Sequence, residues 1–311
     1  MEYLLLLLGF VLLLFGGKFL VNGSVSIANH FRISKLVIGV TVVSFGTSAP
    51  ELFVSSLASY TGHPEVALGN VIGSNIANIA LVLALTAIIF PIPVRKNSVK
   101  LDAPFMLLIS GLLYVFMLVN SNLSRFEGFV FILLLIGYNV FIIYKSRAED
   151  NIETTIGDGH LSVQKSVVIV LIATVGLAAG SHLLVENASK IAQSLGVSER
   201  VIAISLIAFG TSLPELATSA IAALKKEMDI SIGNIIGSNI FNILAVLGVS
   251  SLIKPMKVSE KFIRVDIFWM MAISLLLFIF ILPFKGGRLS RLKGALLFFI
   301  YGIYLFFLIK Q

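Results

Sequence analysis

The residues best suited to chemistry come in pairs. Gly46-Thr47-Ser48-Ala49-Pro50-Glu51 returns as Gly210-Thr211-Ser212-Leu213-Pro214-Glu215, and each copy lies inside a long apolar stretch. A glutamate there carries a charge that hydrocarbon does not solvate, so it needs a compensating partner. Its neighbours suggest a cation. Pro50 has no N–H to give to the carbonyl of Gly46, nor Pro214 to that of Gly210, and a carbonyl freed in this way can be satisfied by an ion. Thr47, Ser48, Thr211 and Ser212 add neutral oxygens. Calcium and sodium, as hard cations, favour such all-oxygen coordination.

A second motif accompanies the first. Gly69-Asn70-Val71-Ile72-Gly73-Ser74-Asn75-Ile76-Ala77-Asn78 returns as Gly233-Asn234-Ile235-Ile236-Gly237-Ser238-Asn239-Ile240-Phe241-Asn242. Ser74 and Asn78 share one helical face, as do Ser238 and Asn242, because residues four apart are aligned on a helix. The glycines allow close approach of a neighbouring helix, bringing these oxygens toward the glutamates. Any single Ser, Thr or Asn here is explained as well by helix packing and interhelical hydrogen bonding. Two mid-span glutamates at matched positions are not.

The elements that must hold these residues are membrane helices. Hydrophobic residues make up 58% of the 311 and charged ones 13%, with a mean hydropathy of +1.02. Ten apolar runs emerge, at about 3–28, 36–59, 66–90, 102–119, 126–144, 166–192, 201–224, 230–253, 262–283 and 294–309, most near the length that crosses a bilayer. Met1-Glu2-Tyr3 and the leucines after it lack a basic leader and a cleavage site, and read as the start of a retained first span. A shift of 164 positions superposes the two halves without a gap, and 18 of the 35 residues from Phe45 to Ile79 are identical to their counterparts. Lys100 and Asp102 fall on Arg264 and Asp266.

The expected fold is therefore an all-α integral membrane protein of ten transmembrane helices. It comprises a five-helix repeat over residues 1–144, a polar cytoplasmic linker over 145–165 and a second five-helix repeat over 166–311. Five spans per repeat is odd, so the second half enters from the opposite side and the repeats are inverted. Placing both termini outside puts fourteen basic residues, among them Arg32, Lys35, Arg95 and Lys96, on the cytoplasmic side and eight outside.

Several functions are excluded or weakened. The net charge of +7 sits in short segments between spans, where it sets topology, so nucleic acid is not an expected partner. Without cysteine there are no disulfides, thiolate metal sites or thiol catalysis. No zinc motif, phosphate loop or nucleophile elbow marks an enzyme. The acids Glu149, Asp150, Glu153 and Asp158 of the linker lack EF-hand spacing and read as solvated chain. Lys18 and His182 read as interfacial, Asp102 and Asp266 as helix starts facing a dipole, and His30, His63 and His160 as loop residues. Trp269 and the phenylalanines read as packing or lipid-facing groups.

At its paired GTSxPE and GNxIGSN motifs the chain resembles the sodium/calcium exchanger family of the calcium/cation antiporter superfamily, in its compact prokaryotic form. That resemblance implies a core of the second, third, seventh and eighth spans, with the first and sixth as a long gating pair that slides over it. It implies ion ligands at Glu51 and Glu215, at Thr47, Ser48, Thr211 and Ser212, and at Ser74 and Ser238. It also implies the Ala208 carbonyl with its repeat partner Ser44, and the central pair Asn78 and Asn242. Some relatives carry Asp at one of the last two positions, whereas here both are Asn. The implied function is sodium/calcium antiport by alternating access. Calcium and sodium are cargo, the bilayer is the only other partner, no obligate protein partner is expected and no cofactor is needed. Proton/calcium exchange by the same fold remains open at this point, and a cation channel is the more distant alternative.

Overall fold

The computed structural model describes residues 1–148, 161–197, 210–282 and 287–310. The chain is a bundle of long apolar helices. Helix α1 spans Glu2–Phe31 and ends where Arg32 adopts a left-handed conformation (φ 51°). Ser34 then caps the next helix by accepting from the Val37 N–H at 3.3 Å. That helix is broken: α2 (Lys35–Thr47) and α3 (Ala49–Thr61) meet at 49°. The break is at Ser48 (φ −89°, ψ 8°), and Pro50 lies in the first turn of α3, where its missing N–H costs the helix least. Gly62, at φ 88°, ends α3.

Helix α4 (Pro64–Ile89), α5 (Ser98–Val119) and α6 (Arg125–Ala148) follow. Beyond them are α7 (Val163–Ser194), the short α8 (Leu213–Leu224), α9 (Met228–Ile253), α10 (Phe262–Ile281) and α11 (Arg291–Leu308). Among the described residues, eight helices are long and apolar enough to cross a membrane, nine if α2 and α3 form one bent span. The predicted seventh run, 201–224, is described only from 210 onward, where it yields α8.

Helices α4 and α9 are the centre of the bundle. Their apolar windows are 78% and 89% buried, against 33% for α1 and 28% for α7. Both carry the same irregularity: the α-helical turn widens to π-helix at Asn78–Leu83 and again at Asn242–Leu247. The match at the 164-residue shift is residue for residue. A π segment inserts an extra residue per turn and often marks a functional position. Helix α9 also presses its backbone on α2, since a Cβ added to Gly233 would come within 2.8 Å of the Leu36 carbonyl.

Around this core, α1 and α7 run antiparallel in close contact. Gly9 faces Gly180, Gly16 faces Ala173 and Gly23 faces Ser166, so small residues recur every seven positions on both helices. A Cβ at Gly9 would lie 2.8 Å from the Gly180 carbonyl oxygen. Two short pairings join the halves: β1 (Ile92–Pro93) with β4 (Arg288–Leu289), and β2 (Asn122–Leu123) with β3 (Met256–Lys257), both antiparallel.

Some expectations need correction. Asp102 does not open its helix; α5 begins a turn earlier, at Ser98, and Asp102 is buried where the Tyr138 hydroxyl of α6 donates to Oδ1 at 2.9 Å. Asp266 likewise closes a π turn that starts at Phe262. Desolvation, not the helix dipole, governs such a carboxyl, so a hydrogen-bond partner is what it needs. His30 is in the last turn of α1 rather than in a loop. His63 does precede α4, and His160 lies outside the described residues, as do residues 149–160 of the linker. His182 is exposed beside Glu186, 3.4 Å away. Trp269 packs against Tyr304 and Phe307.

Candidate functional site

The breaks after Thr47 and before Leu213 place both glutamates in the first turn of a new helix, α3 for Glu51 and α8 for Glu215. Such a position suits an anion, because the free N–H groups and helix dipole are positive there. Both side chains are 0% exposed. They are also near enough for their charges to act on each other. Glu215 Oε1 accepts from the Ser48 hydroxyl at 2.9 Å. Among the described residues, Glu215 Oε2 and both oxygens of Glu51 are buried without a hydrogen-bond partner.

The neutral oxygens surround this pair. Thr47 Oγ1 donates to Asn234 Oδ1 at 3.0 Å and lies 3.3 Å from Ser238 Oγ. Its repeat equivalent Thr211 lies 3.1 Å from Ser74 Oγ. The hexapeptide of each half thus meets the π-bearing helix of the other. Among the described residues, Ser212 Oγ is buried and unpartnered, and so are both polar atoms of the Asn78 side chain. Asn242 donates to Asn75 Oδ1 at 3.1 Å and leaves its own Oδ1 unpartnered.

Ser44 is engaged differently. Its hydroxyl turns back to the Val40 carbonyl at 2.5 Å, and its own carbonyl already accepts from Ser48 N at 2.9 Å and Thr47 Oγ1 at 3.3 Å. Ala208 lies outside the described residues. Four further residues were within the repeated sequence but had no assigned role. Asn70 donates to Ser55 Oγ at 2.9 Å and to the Glu51 carbonyl at 3.4 Å, bracing α3 against α4. Asn234 donates to Ser219 Oγ at 3.0 Å, bracing α8 against α9 in the same manner. The signal that could have found them is their identity at matched positions, Asn70 with Asn234 and Ser55 with Ser219.

Chemically, this is a buried cluster of two carboxylates within a shell of hydroxyls and amides. No group of three or more His, Cys, Asp or Glu occurs among the described residues, so the ligand set is one of few charges and many neutral oxygens. Such a set fits hard cations rather than zinc or copper. Uncompensated, two buried carboxylates cost several kcal/mol each.

This combination of membrane-crossing helices around a buried, oxygen-lined carboxylate pair is that of a multi-pass cation transporter. Comparison with known proteins gives the family. The sequence profile described as "Sodium/calcium exchanger protein" matches residues 1–144 and 165–310, and the chain belongs to that family. It is 39% identical over 295 residues to the uncharacterized membrane protein MJ0091 of Methanocaldococcus jannaschii, covering 95% of this chain and 94% of that one. It is 32% identical over 342 residues to the sodium/calcium exchanger MaX1 of Methanosarcina acetivorans, covering 98% and 97%. Its fold matches the solved structure of the sodium-calcium exchanger NCX_Mj soaked with zero Na+ and Ca2+, with a TM-score of 0.84, 37% identity, and coverage of 98% of this chain and 97% of that one. The family is one of cation/calcium antiporters, which are transporters and not enzymes, with sodium and calcium as the ions handled.

Proposed function

We propose that this chain is a sodium/calcium antiporter that works by alternating access. It crosses the membrane ten times in two inverted five-helix repeats, 1–144 and 166–311, joined by a cytoplasmic linker over 145–165, with both termini outside. Glu51 and Glu215 are the central ion ligands. Thr47, Ser48, Thr211, Ser212, Ser74, Ser238, Asn78 and Asn242 supply oxygens, as do backbone carbonyls at Ser44 and Ala208.

One observation carries the reading: both glutamates are fully buried, and three of their four oxygens have no hydrogen-bond partner among the described residues. A buried pair of ionised carboxylates is stable only when loaded. One calcium ion or a set of sodium ions offsets that charge, and an empty ionised site is expensive to enclose. The gating pair α1 and α7 then moves over a loaded core far more readily than over an empty one, so the movement of one ion depends on the movement of the other.

Sodium-gradient-driven calcium uptake into sealed vesicles tests this. Glu51→Gln and Glu215→Gln each remove one charge while nearly preserving volume, and uptake is expected to fall to background in both. Normal exchange by either variant would overturn the assignment.

A further inference from the structure

The two halves of the site carry equivalent residues but do not use them alike. Under the 164-residue shift Asn75 corresponds to Asn239, Asn78 to Asn242 and Met106 to Met270. All four asparagines are buried. Asn242 Nδ2 donates to Asn75 Oδ1 at 3.1 Å, while Asn75 Nδ2 donates to the Asn239 carbonyl at 3.3 Å and to Met270 Sδ at 3.6 Å. Exchanging the halves would put Asn78 Nδ2 on Asn239 Oδ1. Asn239 instead turns its Nδ2 to the Ile235 carbonyl of its own helix at 2.8 Å. Asn78 Nδ2 and Asn239 Oδ1, the donor and acceptor of the exchanged bond, are both buried and unpartnered among the described residues.

The carboxylates repeat this one-sidedness. Ser48 donates to Glu215, whereas Ser212 Oγ and both Glu51 oxygens, the exchanged counterparts, have no partner among the described residues. A buried polar atom without a partner is costly, and a matched donor and acceptor left open together are a bond available to another state. In an inverted-repeat transporter the two facing states exchange the roles of the halves.

We propose that Asn75 and Asn239 are alternating positioning residues. In the present state Asn75 holds the Asn242 amide so that Asn242 Oδ1 is free for an ion. In the oppositely facing state Asn239 leaves the Ile235 carbonyl and holds Asn78 through the exchanged bond, with buried Met106 taking the place of Met270. Neither Asn75 nor Asn239 needs to touch an ion. This inference rests on the antiport reading and adds to it a hydrogen-bond switch inside the core.

The chain has no cysteine, so one introduced thiol is an unambiguous reporter. Val25 on α1 lines a cavity with Asn22, Lys225 and Glu227. Exchange by the Val25→Cys protein in proteoliposomes tests the antiport reading on its own. Its rate of modification by a membrane-impermeant maleimide applied from the Val25 side is then compared in Asn75→Ala, Asn239→Ala and the double variant. Loss of one hydrogen bond of ordinary net strength shifts a two-state ratio by about fivefold. Asn75→Ala weakens chiefly the present state, where Asn75 bonds Asn242 and the Asn239 carbonyl, and Asn239→Ala chiefly the other, because the one bond it loses in the present state lies within its own helix. The two modification rates are therefore expected to move in opposite directions, by up to about fivefold, with the double variant returning toward the background rate. Asn75→Ser retains an acceptor for Asn242 and should shift the rate less than Asn75→Ala; it takes the place of that variant if alanine prevents folding. Shifts in the same direction, or no shift, would overturn the proposal whether or not exchange persists.

Discussion

At the scale of single residues, what surrounds a buried carboxyl separates the groups assigned to an ion from those assigned to a neighbour. Glu51 and Glu215 are buried with open oxygens, which is why their charge is assigned to transport. Asp102 is also buried and keeps one open oxygen, Oδ2, but it lies outside the paired motifs: Tyr138 donates to its Oδ1 and Phe105 stacks on that ring with centroids 4.2 Å apart. Tyr138→Phe removes the donor and leaves a buried carboxyl oxygen unpaired, which should lower stability by about 1–3 kcal/mol. Thermal unfolding in detergent reads this as a reduced Tm, with calcium binding retained; an unchanged Tm would contradict a structural role for the pair. The hexapeptides announced the glutamates because an ionisable residue in an apolar run has few other uses. Asn70, Asn75, Asn234 and Asn239 carried the same repetition but no charge, and nothing in the sequence tells a ligand amide from a bracing one. Apart from the bond of Asn239 to Ile235 on its own helix, their partners lie on other helices, up to 195 positions away.

At the scale of elements, the seam between α1 and α7 combines great length with glycines that let α7 come close, Leu177 packing on Gly16 and Val170 on Gly23. Gly9, Gly16 and Gly23 against Gly180, Ala173 and Ser166 hold the 30- and 32-residue helices close enough to act as the one gating unit proposed above. Gly9→Leu would force side-chain atoms into the Gly180 carbonyl, and overpacking of this kind costs about 1–3 kcal/mol. The expected result is a turnover reduced at least about fivefold with calcium affinity little changed, read by comparing vesicle flux with equilibrium calcium binding. Equal loss of both would point to a distorted ion site instead. The lengths of these helices were legible in their apolar runs, to within about three residues at each end. The π segments at Asn78 and Asn242 were not, because an extra residue in a turn leaves no trace in hydrophobic pattern. The bend at Ser48 was announced by Pro50 one turn too generally: proline marks a helix boundary nearby and does not specify which residue turns.

At the scale of the whole molecule, the offset of 164 residues does most of the organising, since it relates the hexapeptides, the π segments and the paired asparagines at once. The short pairings also link one half to the other, Ile92 with Leu289 and Leu123 with Met256. Those links were invisible in sequence because two-residue strands carry no pattern of their own. Orientation belongs to this scale. If both termini lie outside, as proposed, Glu2→Cys should react with impermeant reagent added to intact cells and Lys145→Cys only after lysis; the reverse pattern would invert the topology. The central claim is that calcium moves against sodium through one carboxylate-lined site. Calcium uptake into sealed proteoliposomes, with sodium, potassium and proton gradients imposed one at a time, tests it most directly. The account predicts uptake driven by the sodium gradient and lost in Glu51→Gln, and uptake driven by the proton gradient alone would contradict it.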